Sequence, residues 1–263
     1  MSSNPAPEGG RFRQRFLAGE HLVGTFIKTP GVHATEILGG LGFDFVVIDE
    51  EHAPFDRQTI DLILLAARAA GTAGIVRVAE PTASKILSVL DCGATGVLVP
   101  HVSSAAKAQE IAAAARYRGG KRGFSNSPRA GGYGTLPIWP HVEAADAATA
   151  VIAMIEDPEA LDEIEAIAAV DGVDGFFIGR GDLTVALGAP AMDAPAVRVA
   201  VERIAAAARA AGKPVCVMAS SVADAEAMKA LGASAFIVSS DQGLMRQAAL
   251  KVLADFAPVR ADA

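Results

Sequence analysis

Charged side chains that could bind a metal ion or transfer protons follow several short apolar runs of the chain. Three of these runs, FDFVVID, AVIAMI and VDGFFIG, end in or shortly precede Asp49, Glu50, Glu51, His52, Glu156, Arg180 and Asp182. Carboxylate oxygens suit hard cations such as Mg²⁺ and Mn²⁺, whereas zinc prefers His or Cys ligands. Glu156 and Asp182 therefore predict a divalent metal site if the fold brings these two runs together. Separate salt bridges or helix caps are the alternative.

Other residues could take part in the same chemistry. Arg77 follows the apolar run GIV, and its guanidinium could bind a carboxylate or an enolate with two hydrogen bonds, or form a structural ion pair. Asp49 and His52 are close enough for the carboxylate to orient the imidazole as a general base. A structural histidine fits this spacing equally well. His101, which follows Pro100 at a strand end, could support the catalytic group from behind, but we favour a structural role.

The elements that must position these side chains alternate between strands and helices. Short apolar runs of strand-forming residues are separated by alanine-rich stretches of helical period, and glycines stand where helices should end. Nearly continuous apolar strands are typical of a parallel sheet covered on both faces. Strands are predicted at 22–28, 43–49, 73–79, 95–101, 150–156, 173–179, 214–220 and 234–240, and helices at 56–70, 81–90, 104–116, 158–169, 194–211, 222–231 and 243–256.

Eight such units predict an α/β protein with a closed (β/α)8 barrel, the TIM-barrel fold, rather than an open doubly wound sheet. The active sites of these barrels lie at the C-terminal strand ends, so the charged residues are expected around one mouth. We predict a flexible N-terminal lead-in over 1–17 and a single barrel domain over 18–263. Residues 117–148 should form a long rim loop beside the site plus a short helix, and the helix 243–256 should pack across subunits.

The composition excludes several classes of function. The chain has 263 residues and a formal net charge of −7, and it lacks the basic stripe that a nucleic-acid-binding protein needs. No apolar run approaches the roughly 18 residues needed to cross a bilayer, and the polar start is unlike a signal peptide. We therefore expect a cytoplasmic protein that acts on small molecules. Cys92 and Cys216 are predicted to be buried free thiols.

Taken together, these segments resemble the HpcH/HpaI family of metal-dependent (class II) pyruvate aldolases, which are related to citrate lyase β-type proteins. FVVIDEEHAPFD resembles the family's Asp-x-Glu-His-Ala/Gly-Pro signature, and VLDCGATGVLVPHV resembles its Leu-Asp-x-Gly-Ala…Val-Pro segment. IEDPEA and GVDGFFIGRGDLTVALG resemble its two metal-ligand motifs. The likeness keeps these segments in order and extends from about residue 18 to residue 255.

The resemblance implies catalytic roles for the matching residues. Glu156 and Asp182 would ligate Mg²⁺ or Mn²⁺, or Co²⁺. Arg77 would stabilise the substrate carbonyl as it becomes an enolate. His52, oriented by Asp49, would act through a water on the substrate hydroxyl. The implied reaction is the reversible aldol cleavage of a 4-hydroxy-2-oxoacid, through an enolate that the metal stabilises, to pyruvate or a close analogue and an aldehyde.

The resemblance also implies contacts beyond the catalytic group. Gly181 and Met154, with the metal-ligand Asp182, would lie against the bound oxoacid. Asp91, in the VLDCG segment, would reach the active site of a neighbouring subunit, since the family assembles as a hexamer.

Three departures from the family pattern put the donor substrate in question. Met154 stands where the family usually has Gln, two residues before Glu156. Arg180 replaces the proline of Gly-Pro-Ala-Asp-Leu and puts a cation next to the expected metal site. Lys28 replaces a residue that is commonly apolar or small. We interpret these changes as a site tuned away from plain pyruvate, towards a hydroxylated analogue such as hydroxypyruvate.

Three other functions remain open. A Schiff-base aldolase would use Lys28 as its nucleophile. A citrate-lyase-β-like acyl-CoA lyase would need a basic surface for CoA, for which the loop Arg116–Arg122 is the candidate. A non-catalytic binding or scaffold protein is the third possibility.

Overall fold

Eight parallel strands close into a barrel in which each strand pairs with the next and the last pairs with the first, as the sequence predicts. The computed structural model describes residues 11–261. The strands are β1 Leu22–Ile27, β2 Phe45–Asp49, β3 Ala73–Arg77, β4 Gly96–Val99, β5 Ala150–Ile155, β6 Gly175–Ile178, β7 Val215–Ala219 and β8 Ala233–Ser240. Each predicted strand is present within two residues of its expected bounds.

Helices connect the strands and cover the outside of the barrel. They are α1 Phe12–Leu17, α2 His33–Gly40, α3 Arg57–Ala69, α4 Ala83–Asp91, α5 Ala105–Ala115, α6 Ile138–Ala148, α7 Ile164–Ala168, α8 Arg180–Ala186, α9 Pro195–Ala210, α10 Val222–Ala230, α11 Asp241–Asp255 and α12 Ala257–Ala261. Short 3-10 helices at Arg129–Gly134 and Pro158–Leu161 interrupt two of the connections. No helix among the described residues is both long and apolar enough to span a bilayer.

The strands divide their side chains between two cores. Alternate residues of a strand point to opposite faces, so one set fills the barrel and the other packs against the helices. Phe26, Val47, Ile75 and Met154 belong to the inner core. Two residues further along the same four strand paths, at the C-terminal end of the barrel, come Lys28, Asp49, Arg77 and Glu156. The strand period therefore delivers all four of these side chains to the mouth.

Part of the segment predicted as a flexible lead-in is folded. Residues 1–10 lie outside the described residues, and Phe12–Leu17 form the helix α1. Phe12 and Phe16 are fully buried in the inner core, where Phe12 lies 5.3 Å from the Phe45 ring between centroids. A Cβ at Gly175 would come within 2.6 Å of the Phe16 ring, so Gly175 makes room for it. The two phenylalanines close the N-terminal end of the barrel.

The segment 117–148 contains the predicted short helix, α6, but it does not lie beside the active site. Helix α5 carries the chain from the mouth back to the N-terminal end of the barrel, and β5 starts from that same end. Everything between them must therefore lie opposite the mouth. Arg116 confirms this position, because it donates to the carbonyl of Thr149 and pairs with Asp174, just before β5 and β6.

The two cysteines are free and buried, as predicted. Gly71, Gly93, Gly212 and Gly232, expected to terminate helices, all have positive φ angles between 66° and 103°. Only glycine adopts such angles without strain.

Candidate active site

One side of the mouth is a buried ion-pair cluster of Lys28, Asp49 and Arg77. The Arg77 guanidinium donates from Nε and Nη2 to the two Asp49 oxygens at 2.9 and 2.7 Å, and Lys28 Nζ lies 2.8 Å from Asp49 Oδ2. Burial alone would raise the pKa of the Asp49 carboxyl, but hydrogen bonds and charges from Arg77 and Lys28 hold it below its ordinary value. Arg77 thus forms the structural ion pair that the sequence allowed, and its Nη1 remains for other partners.

The expected pairing of the Asp49 carboxylate with the His52 ring does not form. Both Asp49 oxygens are engaged by the two cations, and His52 contributes only its main-chain N–H, at 3.2 Å. The ring is more than half exposed, and its Nε2 lies 3.8 Å from Glu51 Oε2. Glu51, rather than Asp49, is therefore the acid next to the imidazole.

Glu51 contacts residues from both sides of the mouth, Arg77 and His101. Its Oε2 lies 3.3 Å from Arg77 Nη1, and its Oε1 lies 3.7 Å from the His101 ring. Although Oε2 is buried and near Arg77, it has no hydrogen-bond partner among the described residues. A buried carboxylate oxygen without a donor is costly, so this position calls for a water or another ligand.

Glu156 is the buried carboxylate of the opposite side. It follows β5 directly, is 2% exposed, and accepts a hydrogen bond at 2.9 Å from the His101 main-chain N–H. His101 has a positive φ of 54°, a strained conformation for a residue other than glycine. Its Nδ1 lies 3.1 Å from Asp157. His101 therefore belongs to the site, and the structural role favoured from the sequence is incomplete.

The pKa values of this group reflect its crowding. Burial raises the pKa of Glu156 to about 7; the hydrogen bond and charge of His101 oppose the shift, and the charges of Asp182 and Glu51 add to it. Desolvation lowers the pKa of His101, but the Asp157 hydrogen bond and the charges of Glu156, Asp157 and Glu51 outweigh it and raise the pKa overall.

A pH dependence follows from Glu156. The pKa in the folded protein, about 7, lies above the ordinary 4.5, so the folded state binds a proton that the unfolded state releases. The contribution of Glu156 to stability is complete below the ordinary pKa and is lost as pH rises through 7. We expect the melting temperature of the metal-free protein to fall between pH 6 and pH 8. In the Glu156→Gln variant, this part of the pH dependence should be absent. Parallel thermal melts of the two proteins measure it, and identical pH profiles would contradict this expectation.

Asp182 lies one helical turn beyond the strand end, not on the strand itself. Gly179 is the N-cap residue of α8, Asp182 follows in the first turn, and no side chain caps this helix. Asp182 is exposed and near enough for its charge to act on the pKa of Glu156. Neither Glu156 nor Asp182 caps a helix among the described residues, so the helix-cap alternative is not observed.

Gly179 keeps the α8 turn close to Glu156. A Cβ at this position would lie 2.5 Å from Glu156 Cβ, 2.9 Å from Glu156 Oε2 and 3.2 Å from Met154 Cε. We expect Gly179→Ala to displace the Glu156 carboxylate. Because the family resemblance implies that Glu156 is a metal ligand, Mn²⁺ binding should weaken at least tenfold. Gly181→Ala is the matched control, because a Cβ there meets no atom within 4 Å. Titration with Mn²⁺ checks both, and equal affinities would contradict the role of Gly179.

The structure shows where the side chains of two departures from the family pattern, Met154 and Arg180, lie. Met154 is buried beneath Glu156 in the inner core, on the same face of β5, and forms the floor of the mouth. Arg180 does not place a free cation beside the acids. Its guanidinium forms a two-point ion pair with Asp224, at 2.8 and 2.7 Å, at the start of α10.

Asp91 lies far from the mouth of its own barrel. It is the last residue of α4, which ends at the N-terminal face, and its Oδ1 lies 3.5 Å from Arg122 Nη2. The basic loop considered for CoA lies at this same end: Arg116 and Arg118 pair with Asp174 and Glu143. A CoA surface beside the site of the same chain is therefore not formed by these arginines.

Comparison with known proteins decides the family. The HpcH/HpaI aldolase/citrate lyase profile matches residues 23–248, most of the chain. The chain is a member of the HpcH/HpaI aldolase/citrate lyase family. As expected from the sequence, it is an enzyme of the aldolase type, a carbon–carbon lyase.

Individual family members support the assignment. A 5-keto-4-deoxy-D-glucarate aldolase of Klebsiella pneumoniae is 36% identical over 244 residues, which cover 92% of this chain and 94% of the relative. An HpcH/HpaI aldolase/citrate lyase family protein from Burkholderia cenocepacia superposes with a TM-score of 0.89 at 30% identity, over 94% of this chain and 99% of that one. The citrate synthase SbnG superposes with a TM-score of 0.85 at 31% identity, over 95% and 98%.

The sequence groups Glu51 with the other strand-end acids but assigns it no individual role, and it favours a structural role for His101. Glu51 stands between Asp49 and His52, so a strand-end turn could have suggested that it faces the mouth. For His101, the sequence gives no sign of a positive φ. Its link to Glu156 becomes visible only when β4 and β5 are paired.

Proposed function

We propose that the protein is a divalent-metal-dependent aldolase that reversibly cleaves a 4-hydroxy-2-oxoacid to pyruvate or hydroxypyruvate and an aldehyde. The observation that carries this proposal is Glu156, a carboxylate buried at the mouth of a closed barrel, with Asp182 and Glu51 close enough to raise its pKa. A buried carboxylate whose pKa is raised further by the charges of two other acids favours a divalent cation, which would neutralise this negative charge.

The residues fit a metal of this kind. Glu156 and Asp182 would hold Mg²⁺, Mn²⁺ or Co²⁺, and the unpartnered Oε2 of Glu51 would accept a hydrogen bond from a water beside it. Among the described residues no three His, Cys, Asp or Glu side chains form a metal cluster, so water or substrate would fill the remaining positions. When bound, the metal would polarise the carbonyl of the oxoacid as a Lewis acid.

The chain's own residues would supply the rest of the chemistry. Arg77, held by Asp49, would present Nη1 to the oxygen that gains negative charge as the carbon–carbon bond breaks. The exposed ring of His52 would accept the proton of the substrate hydroxyl through a water. Glu51, 3.8 Å from that ring, would stabilise the imidazolium that forms.

The proposal includes a preference for hydroxypyruvate over pyruvate as the oxoacid. Met154 presents an apolar floor beneath Glu156, and Lys28 adds an ammonium group 2.8 Å from Asp49. An ammonium beside the site could donate a hydrogen bond to a substrate hydroxyl, which favours hydroxypyruvate over pyruvate. Gly181, with no atom within 4 Å of a Cβ position, leaves room for the oxoacid above the α8 turn.

We also propose a homohexamer in which Asp91 of one subunit completes the site of another. Asp91 lies at the end of the barrel opposite its own mouth, so it could serve a site only across a subunit contact. Helix α11 exposes Met245, Leu250 and Leu253 and would pack against a second copy. A cytoplasmic location belongs to the same proposal.

The experiment that tests the function is a cleavage assay on 4-hydroxy-2-oxoacids, with EDTA and with borohydride. We expect EDTA to abolish cleavage, Mn²⁺ or Mg²⁺ to restore it, and borohydride with substrate to leave the enzyme active. The reverse pattern would identify Lys28 as a Schiff-base nucleophile and overturn the metal mechanism. Against that outcome, Lys28 Nζ lies 2.8 Å from Asp49 Oδ2 and is held in an ion pair, whereas a Schiff-base nucleophile must be free to reach a carbonyl carbon.

A further inference from the structure

Arg180 is the sequence departure that the proposed chemistry does not use. It stands at the first position of α8, between Gly179 and the turn that carries Asp182. A cation at this place would repel a metal ion if it faced the acids. Its side chain instead points towards the C-terminal end of β7 and the first turn of α10, and it is only 12% exposed.

The contacts of Arg180 form a closed network that we call the Arg180–Asp224 clamp. Two guanidinium nitrogens bind the two oxygens of Asp224, and Nη2 also donates to the carbonyl of Met218 at 2.5 Å. Asp224 Oδ2 in turn accepts hydrogen bonds from the N–H and the hydroxyl of Ser220, at 2.9 and 3.1 Å. A planar guanidinium engaged at two points fixes orientation as well as distance.

The clamp joins the α8 turn to the following unit of the barrel. Its members come from the first turn of α8, the end of β7 and the first turn of α10. On the other side, the backbone of Gly179 lies so close to Glu156 that no Cβ fits between them. The hydroxyl of Thr184 donates a hydrogen bond to the carbonyl oxygen of Arg180 and so adds a contact within the first turn of α8. The segment 179–182 is therefore held between Glu156 and the clamp.

We propose that Arg180 is a positioning residue that, through Asp224, fixes the α8 turn so that Asp182 faces Glu156 across the mouth. This inference rests on the proposed function, because it takes Asp182 as the second carboxylate of the metal site. Arg180 touches neither substrate nor metal. Its charge is neutralised by Asp224, whose pKa the Arg180 hydrogen bonds lower to about 2, so the Asp224 carboxylate stays ionised at neutral pH.

Two readings of Arg180 predict opposite signs for metal affinity. If its charge faced the metal, Arg180→Met would remove a repulsion and tighten Mn²⁺ binding. If it positions Asp182, the same change should weaken Mn²⁺ binding about 10–100-fold, as loss of residues behind metal ligands does. Arg180→Lys keeps the charge but not the two-point contact, so its affinity should be intermediate.

The test is a Mn²⁺ titration, followed by the electron paramagnetic resonance of the free ion, of the full chain and its variants. We expect Arg180→Met and Asp224→Asn each to weaken binding, and the double variant to be no weaker than the weaker single one, because both break one clamp. Arg118→Met is the control, since Arg118 pairs with Glu143 at the far end of the barrel and is 57% exposed. Its affinity should equal that of the wild type.

The possible outcomes distinguish a failure of this inference from a failure of the proposed function. Wild-type protein that binds no Mn²⁺ would overturn the proposed function and this inference together. Wild-type binding with unchanged or tighter binding by Arg180→Met would overturn only the inference. Thermal melts of the metal-free variants show whether each one folds, and if Asp224→Asn does not, the Arg180→Lys and Arg180→Met pair decides the question.

Discussion

Replacing Glu156 by alanine is expected to reduce cleavage of a 4-hydroxy-2-oxoacid by about 10²–10³-fold, the usual cost of one lost electrostatic partner at a developing charge. Glu156 is the buried carboxylate of the acidic side, and its neighbour Asp182 is exposed, so no other acid of that side occupies the same place. Initial rates at saturating Mn²⁺ measure the loss, and a variant with wild-type rates would contradict the assignment.

The isosteric variant and a distant control sharpen this result. Glu156→Gln keeps the shape of the side chain and its acceptor for the His101 N–H, so the loss of activity should persist while the fold is retained. Glu143→Gln removes an exposed acid at the opposite end of the barrel and should retain full activity. If both variants lost activity equally, a general effect on folding or charge would explain the data better than a metal ligand.

Replacing Arg77 by methionine is expected to affect both activity and stability. Cleavage should fall by about 10²–10³-fold because the developing negative charge loses its hydrogen-bond donor. Stability should fall by about 3–5 kcal/mol, the usual cost of removing one partner of a buried ion pair. Asp49 is fully buried, and of the residues that the structure describes only Lys28 would remain to neutralise it. Urea denaturation and initial rates measure the two effects.

The double variant Arg77→Met with Asp49→Asn separates these two effects. It removes both charges of the pair, so the fully buried position 49 no longer holds a poorly compensated carboxylate, and the Glu51 contact with Arg77 Nη1 stays broken. We expect most of the lost stability to return while activity stays low. Recovery of activity together with stability would show that Arg77 acts on the fold alone.

The barrel could be predicted from the sequence because its signals are local. Eight strand patterns alternate with helical patterns, four glycines mark helix ends, and each of these signals depends on neighbouring residues only. The same periods placed Asp49, Arg77 and Glu156 at strand ends. Their inward direction follows from alternation with Val47, Ile75 and Met154 in the inner core.

Other features depend on contacts that no local pattern records. The location of 117–148 depends on where α5 ends, which is the N-terminal end of the barrel. A composition rich in glycine and proline does not predict that location. The partner of Arg180 is 44 residues away on the next unit. Proximity in the sequence predicts that Asp49 pairs with His52, whereas its partners in the structure, Lys28 and Arg77, come from neighbouring strands.

The most direct measurement of the site is a crystal soaked with Mn²⁺ and examined by anomalous diffraction at the manganese edge. We expect one strong peak at the mouth, within coordination distance of Glu156 and Asp182 oxygens and absent in Glu156→Ala. A peak held by other residues, or full cleavage activity in protein that gives no peak at those two carboxylates, would contradict the proposed metal site.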